Sequence, residues 1–342
     1  MQFRLLLLVA ALVAATCLAE STNRIQAVEH VSAPAASTND PVELEYQKLM
    51  EDDDAAMAEI DGWIKENQRF AAEGAGVPKD ELNRRIQKRV EPVRAAYDDF
   101  LKRNPKHSNA HLAYASFLED IHDEEAAVAH MLKAKEADPK NPAAWNNLAN
   151  HYGHFGDVTN AFSHYEKAIE LDPKEPVYYH NFGTTVFLFR QDVMAYYGIK
   201  DEQQVFDKAL MLYSNSMRLD PTNFLLATDV AMTYYGIKPT RTDDALKSWE
   251  YALKLAEGSL QREGVLIHLA RFKMNAGRYD EARANLKAVT NAELAELKDR
   301  VLRNLELREH PPAEPATNAV LILTTNAPSP ASPTTNKPPA NP

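Results

Sequence analysis

Three dipeptides act as a ruler along this chain: Asn104-Pro105, Asp138-Pro139 and Asp172-Pro173 recur every 34 residues. Proline cannot continue a helix, so each dipeptide closes a helical unit at the same point of a repeating register. Between the second and third lie two short amphipathic helices. Trp145, Leu148, Ala149 and Tyr152 fall at i, i+3, i+4 and i+7, one face of a helix. Gly153 and Gly156 are expected to break it, and Asp157 to cap the next helix. That second helix faces inward with Ala161, Phe162, Tyr165, Ala168 and Ile169. A helix pair of this size cannot bury its apolar face alone, so a fixed period of such pairs dictates a stacked, all-α array.

Further copies keep the register. The first full copy runs from Ser108 through Tyr114, Ala115, Leu118, Ala127, Met131 and Ala134, with His111 where the next copy has Trp145. The third starts at Pro176 and carries Tyr179, Phe182, Gly183, Val186, Ala209 and Tyr213. Its Pro221 comes 48 residues after Pro173, so 14 residues are inserted between Val186 and Ala209. The insert ends in Met194-Ala-Tyr196-Tyr197-Gly198-Ile199-Lys200, nearly repeated as Met232-Thr-Tyr234-Tyr235-Gly236-Ile237-Lys238. Both segments read as Schellman caps with glycine in the left-handed conformation. On that reading the third copy's first helix runs on by about three extra turns. The fourth copy has Ala245, Trp249 and Ala252; the fifth starts near Glu263 and ends at Val289. Ahead of the array, Pro41 to Phe70 reads as one long helix. Lys79 to Arg103 reads as helix with Pro92 marking a kink or a new start, and it closes on a degenerate half copy through Val93, Tyr97 and Phe100. Asn291 to Glu309 reads as one capping helix.

The copy at Pro142–Pro173 resembles the tetratricopeptide repeat, W-x2-L-G-x2-Y…A-x3-F…P, with Ala149 for glycine and Tyr165 for phenylalanine. Its exported bacterial members are the nearest in kind. The resemblance implies a right-handed α-solenoid of helix-turn-helix repeats over 104–290, with helical ends at 41–103 and 291–309. It also implies a concave groove lined by each repeat's first helix at positions two, five, six, nine and twelve. Those are Ala143, Asn146, Asn147, Asn150 and Gly153 in the second repeat, and Val177, His180, Asn181, Thr184 and Phe187 in the third. In the fourth they are Leu225, Thr228, Asp229, Met232 and Tyr235. Some family members grip carboxylates with cations at these places; this groove has none before Arg271. Others hold peptide backbone with an asparagine ladder, which Asn147 and Asn181 match and Ala113 and Asp229 do not. The expected peptide-binding residues are therefore Asn146, Asn147, Asn150, His180, Asn181, Thr184, Asp229 and Tyr235. Asn147 and Asn181 are expected on one wall, and Trp145 is expected to be buried between helices.

The ends carry separate signals. Arg4 and the apolar run Leu5 to Val13, followed by small residues, read as a secretory leader cleaved between Ala19 and Glu20. The alternative is lipid attachment at Cys17. Cys17 is the sole cysteine among 342 residues, so the cleaved chain would hold no disulfide and no thiolate site. Residues 20–40 read as a flexible linker. Residues 310–342 read as a disordered Pro/Thr/Asn-rich tail, interrupted by Val320-Leu-Ile-Leu323.

A formal net charge of -11 argues against nucleic acid as partner. No H-E-x-x-H, G-x-S-x-G or P-loop occurs. The acidic run Glu51 to Asp54 lacks the glycine and terminal glutamate of a calcium loop. His107/His111 and His151/His154 each supply two ligands where zinc needs three or four. The expectation is no enzyme, no cofactor and no metal. The expected role is an exported, periplasmic or secreted scaffold that holds a protein or peptide in its groove, without an integral membrane span. The alternative is an accessory subunit of an envelope enzyme or secretion complex, bound through the convex face or the third-repeat insertion.

Overall fold

A computed structural model describes residues 40–311. The leader, Cys17, most of the linker and the tail from Pro312, including Val320 to Leu323, lie outside the described residues. Within them the chain forms 14 α-helices and a 3-10 turn, with no strand. They are α1 (Pro41–Ala72), α2 (Lys79–Arg103), α3 (Ser108–Asp120), α4 (Glu124–Ala137), α5 (Pro142–Phe155), α6 (Val158–Leu171) and α7 (Pro176–Leu188). Then come α8 (Arg190–Tyr197), α9 (Glu202–Leu219), α10 (Phe224–Thr233), α11 (Thr242–Leu255), α12 (Gly258–Asn275), α13 (Tyr279–Lys287) and α14 (Ala295–Glu309). The pairs α3/α4, α5/α6, α7/α9, α10/α11 and α12/α13 are the five repeats, and each pair packs on the next.

Starts and stops follow local chemistry. Asp40, Asp123, Asn141, Asp201 and Asn223 each accept a backbone N–H of the following first turn through the side chain. At the ruler dipeptides, Asn104, Asp138, Asp172 and Asp220 close their helices. Each of the first three prolines then offers its carbonyl to the residue six positions on. His111 Nε2 lies 3.1 Å from Pro105 O, Trp145 Nε1 donates to Pro139 O at 2.9 Å, and Tyr179 Oη donates to Pro173 O at 3.1 Å. His111 thus performs the same fastening as Trp145. The position six beyond Pro221 holds Ala227, which has no donor, and Tyr251 Oη supplies the bond from α11 at 2.6 Å.

Four local readings are corrected. Gly153 does not break α5; it lies inside the helix, buried against Thr185, and only Gly156 at φ +92° ends it. Asp157 stands at the start of α6 but its carboxylate accepts from the Asn160 side chain at 2.7 Å, not from a backbone N–H. Pro92 does not start a new helix; it lies inside α2. The insertion does not prolong α7. The helix stops at Phe189, where Arg190 Nη1 folds back onto Phe187 O at 2.7 Å while its Nε bonds Glu202 at 2.7 Å. The chain then restarts as α8, which turns fully buried Val193 inward and packs on α6, α7 and α9.

The two near-identical segments also end differently. Gly198 sits at φ +66° with Ile199 N donating to Met194 O at 3.0 Å, the Schellman arrangement. Gly236 has no positive φ and ends a tight turn, Gly236 N to Thr233 O at 3.0 Å. A Cβ there would stand 2.5 Å from the end of the Phe187 ring, so any larger residue has to displace that ring.

First helices touch first helices: α1 with α3, α3 with α5, α5 with α7 and α12 with α14. Among the described residues the second helices make no comparable contact with one another. A stack whose first helices meet and whose second helices fan apart is concave on the first-helix side. Trp249 is the fully buried tryptophan, 1% exposed. Trp145, expected inside, is half-buried between His164 and Lys135 at 5.0 and 4.9 Å.

Candidate functional site

The first-helix face divides in two. On α5, Asn146, Asn147 and Asn150 are buried, with Asn146 only 2% exposed. Asn181 Nδ2 donates to Asn146 Oδ1 at 3.2 Å, and Asn146 Nδ2 donates to Asn147 Oδ1 at 3.3 Å. The contact across repeats joins residues 35 apart, a one-position offset that the rotation between stacked repeats produces. So Asn181 meets Asn146, not Asn147. Asn150 Oδ1 accepts from Tyr165 Oη at 2.6 Å, and the Thr185 hydroxyl lies 3.1 Å from that phenol and 3.0 Å from Asn181 O. Burial raises the Tyr165 phenol well above its ordinary range, so it stays a donor. These amides and hydroxyls satisfy one another.

From α7 onward the polar residues are more open. His180 is half-exposed and its Nε2 lies 3.4 Å from Asp229 Oδ2 on α10. Thr184 accepts from Tyr213 Oη at 3.1 Å. Here Gly183 is obligatory, since a Cβ would meet the Tyr213 ring at 2.9 Å. Backbone contact like that between α5 and α7 is missing between α7 and α10 and between α10 and α12. Side chains fill the second of these gaps. Tyr235 Oη lies 3.0 Å from His268 Nδ1, and the His268 ring stacks on Trp249 at 4.2 Å, the planes 2° apart. Burial, with a smaller push from Arg271, lowers His268 to about 3, so the ring is neutral and shares one hydrogen bond with Tyr235 through Nδ1. Arg271 lies over the Tyr235 ring at 4.9 Å.

Beyond this stack the face opens into a cavity of about 420 Å³. Tyr235, Arg271, Met274 and Asn275 line one side, and Asn304, Leu307 and Arg308 of α14 the other. Arg308 Nη1 bonds Asn275 Oδ1 at 2.6 Å. Of the eight expected residues, Asn146, Asn147 and Asn150 are thus turned into the packing. His180, Asn181, Thr184, Asp229 and Tyr235 retain open surface. Sequence reasoning missed Asn304, Leu307 and Arg308, because it assigned α14 only a capping role. The available signal was that α14 follows α12 as the next first helix. Elsewhere, Glu119, Glu124 and His151 gather with one ligand-type atom each, all within 4.8 Å of one another. No helix among the described residues is long and apolar enough to cross a membrane.

Comparison with known proteins agrees with this architecture. Residues 80–144 match the family described as TmcB, TPR repeats, and residues 142–175 match the tetratricopeptide repeat itself. No curated protein matches the chain. Among solved structures, PilF of Pseudomonas aeruginosa is similar at TM-score 0.46 and 16% identity, covering 72% of this chain and 99% of that one. PilW, described as a widely conserved type IV pilus biogenesis factor, gives 0.48 and 14%, covering 70% and 97%. YrrB, described as a TPR protein with an unusual peptide-binding site, gives 0.43 and 15%, covering 63% and 96%. With two adjoining repeat matches over residues 80–175, inside an all-helical array of stacked helix pairs, this chain carries tetratricopeptide repeats.

Proposed function

We propose that the chain is a non-enzymatic scaffold holding an extended segment of a protein partner along its first-helix face, centred on the third to fifth repeats. The observation that carries this reading is the opening of that face at Tyr235 and Arg271 into the 420 Å³ cavity. Asn181, His180 and Thr184 supply backbone-type hydrogen bonds along the approach, each worth only about 0.5–1.5 kcal/mol net. Affinity therefore depends on what enters the cavity. Its Tyr, Leu and Met surfaces suit an apolar or aromatic side chain, and the Arg271 and Arg308 guanidiniums suit an acceptor beside it. The reading includes export, on the strength of the leader at Arg4 to Val13.

Affinity purification from native cells, with mass spectrometry, supplies the partner. Tyr235→Ala/Arg271→Ala is expected to weaken its binding at least about tenfold, and His180→Ala/Asn181→Ala by less. A folded Tyr235→Ala/Arg271→Ala protein that binds as tightly as the parent sinks the groove reading. Terminal sequencing of native protein tests export: an intact Met1 on cytoplasmic material removes it, and lipid on Cys17 moves the protein to a membrane surface. One observation favours a second reading, the accessory subunit bound through its outer side. A depression of about 540 Å³ lies between α9, α10 and α11, lined by Leu210, Met217, Val230 and Tyr251. Leu188 and Tyr196 are also exposed at the ends of the insertion. Binding that survives the groove variants and fails in Met217→Asp selects this reading.

A further inference from the structure

We propose that Glu119, Glu124 and His151 form a divalent-metal site, suited to zinc, that fastens the first repeat to the second. Glu119 ends the last full turn of α3, Glu124 opens α4, and His151 comes across from the middle of α5. Each offers one ligand atom, and the three atoms lie within 4.8 Å of one another. His151 is 9% exposed, and its Nδ1 is sealed from solvent with no hydrogen-bond partner among the described residues. A buried imidazole nitrogen without a partner is a cost that native packing rarely leaves standing.

The other two ligands are both carboxylates, Glu119 and Glu124. A divalent ion would neutralise the pair and complete the imidazole. Two carboxylate oxygens and one imidazole nitrogen are a ligand set that zinc takes, with water in the fourth position. The imidazole favours zinc or nickel over magnesium and calcium. In a tetrahedral site the ligand atoms stand about 3.4 Å apart, so the side chains must close by about 1 Å around the ion. Both glutamates flank the α3–α4 turn on rotatable stems, which permits that movement. Sequence spacing paired His151 with His154 and found too few ligands. The missing carboxylates come from the preceding repeat, which stacking brings alongside.

The test uses the full chain after removal of bound metal with a chelator. Titration calorimetry with zinc chloride is expected to show one ion per chain, and zinc, not magnesium, should raise the thermal midpoint. Glu119→Gln, Glu124→Gln and His151→Ala should each weaken zinc binding at least about tenfold, while His154→Ala should change it little. Circular dichroism checks folding; should His151→Ala unfold, Glu124→Gln at its half-exposed position decides. Folded wild-type protein that binds no zinc overturns the proposal. So does binding untouched by Glu124→Gln, or binding lost with His154→Ala and kept with His151→Ala.

Discussion

The repeats on either side of the 14-residue insertion use the same kinds of side chain to opposite ends. In α5 and its neighbours the register is regular, backbones of successive first helices meet, and the asparagines are consumed by bonds to one another. From α7 to α12 the register slips and the first helices stand apart, and between α10 and α12 bulkier rings bridge the gap. The lesson is that regular stacking closes a groove chemically even while it shapes one. An amide at a ladder position is available only where its neighbour in the next repeat fails to meet it.

The largest expected contrast is between two tryptophans. Trp249→Ala removes a sealed ring stacked on His268 and should cost about 3–5 kcal/mol. Trp145→Ala removes a half-buried ring whose main fastening is one hydrogen bond, and should cost less than half as much. Urea unfolding of both variants measures this, and equal costs would break the contrast.

Next come the paired glycines. Gly236→Ala drives a methyl to 2.5 Å from the Phe187 ring, an overpacking cost of about 1–3 kcal/mol. Gly198→Ala meets nothing in space and carries only the left-handed strain, about 1 kcal/mol. If Gly198→Ala proves the more damaging, the two segments share one cap after all.

Acid should act on both sides. The His268 imidazole falls to about 3 when folded against an ordinary 6.5, so the unfolded chain takes up a proton that the folded chain refuses. Stability is then full above about pH 6.5 and declines as pH falls toward 3. His130, lowered to about 4 by burial beside Lys133 and His111, adds a slope in the same direction within the first repeat. His268→Gln should flatten the decline measured by unfolding at several pH values; an unchanged slope would assign the effect elsewhere.

The smallest contrast concerns the amides. Asn146→Ala strands Asn181 and Asn147 and should cost about 1–2 kcal/mol, whereas Asn181→Ala, half-exposed, should cost under about 1 kcal/mol. Equal costs would mean that the amide chain is not a closed unit.

These contrasts track the boundary between what was legible in the sequence and what was not. The array was legible because Pro105, Pro139 and Pro173 keep period, and periodicity survives any detail of packing. The break at Phe189 was not. Leu188-Phe189-Arg190 contains neither glycine nor proline, and the stop is made by Arg190 folding back to a carbonyl, a tertiary event tied to Glu202. The groove positions could be counted, but not their availability. Whether Asn147 faces a peptide or Asn146 depends on a one-residue rotation between helices that no single repeat encodes. The cavity at Arg308 was invisible for a similar reason: α14 matches no repeat motif, yet occupies a first helix's place.

The fastening of each proline carbonyl by the ring six residues on has a consequence for how such a chain grows. His111, Trp145 and Tyr179 differ in size and ring chemistry and share only a donor at the right reach. The joint therefore constrains a geometry and leaves the residue nearly free. A duplicated or deleted block of one period would rejoin without loss if any donor-bearing ring arrived at that place, and point changes among His, Trp and Tyr would be passable steps. Phenylalanine, the closest in shape, would be the poor substitute. An array joined this way can change its length faster than it can change its seams.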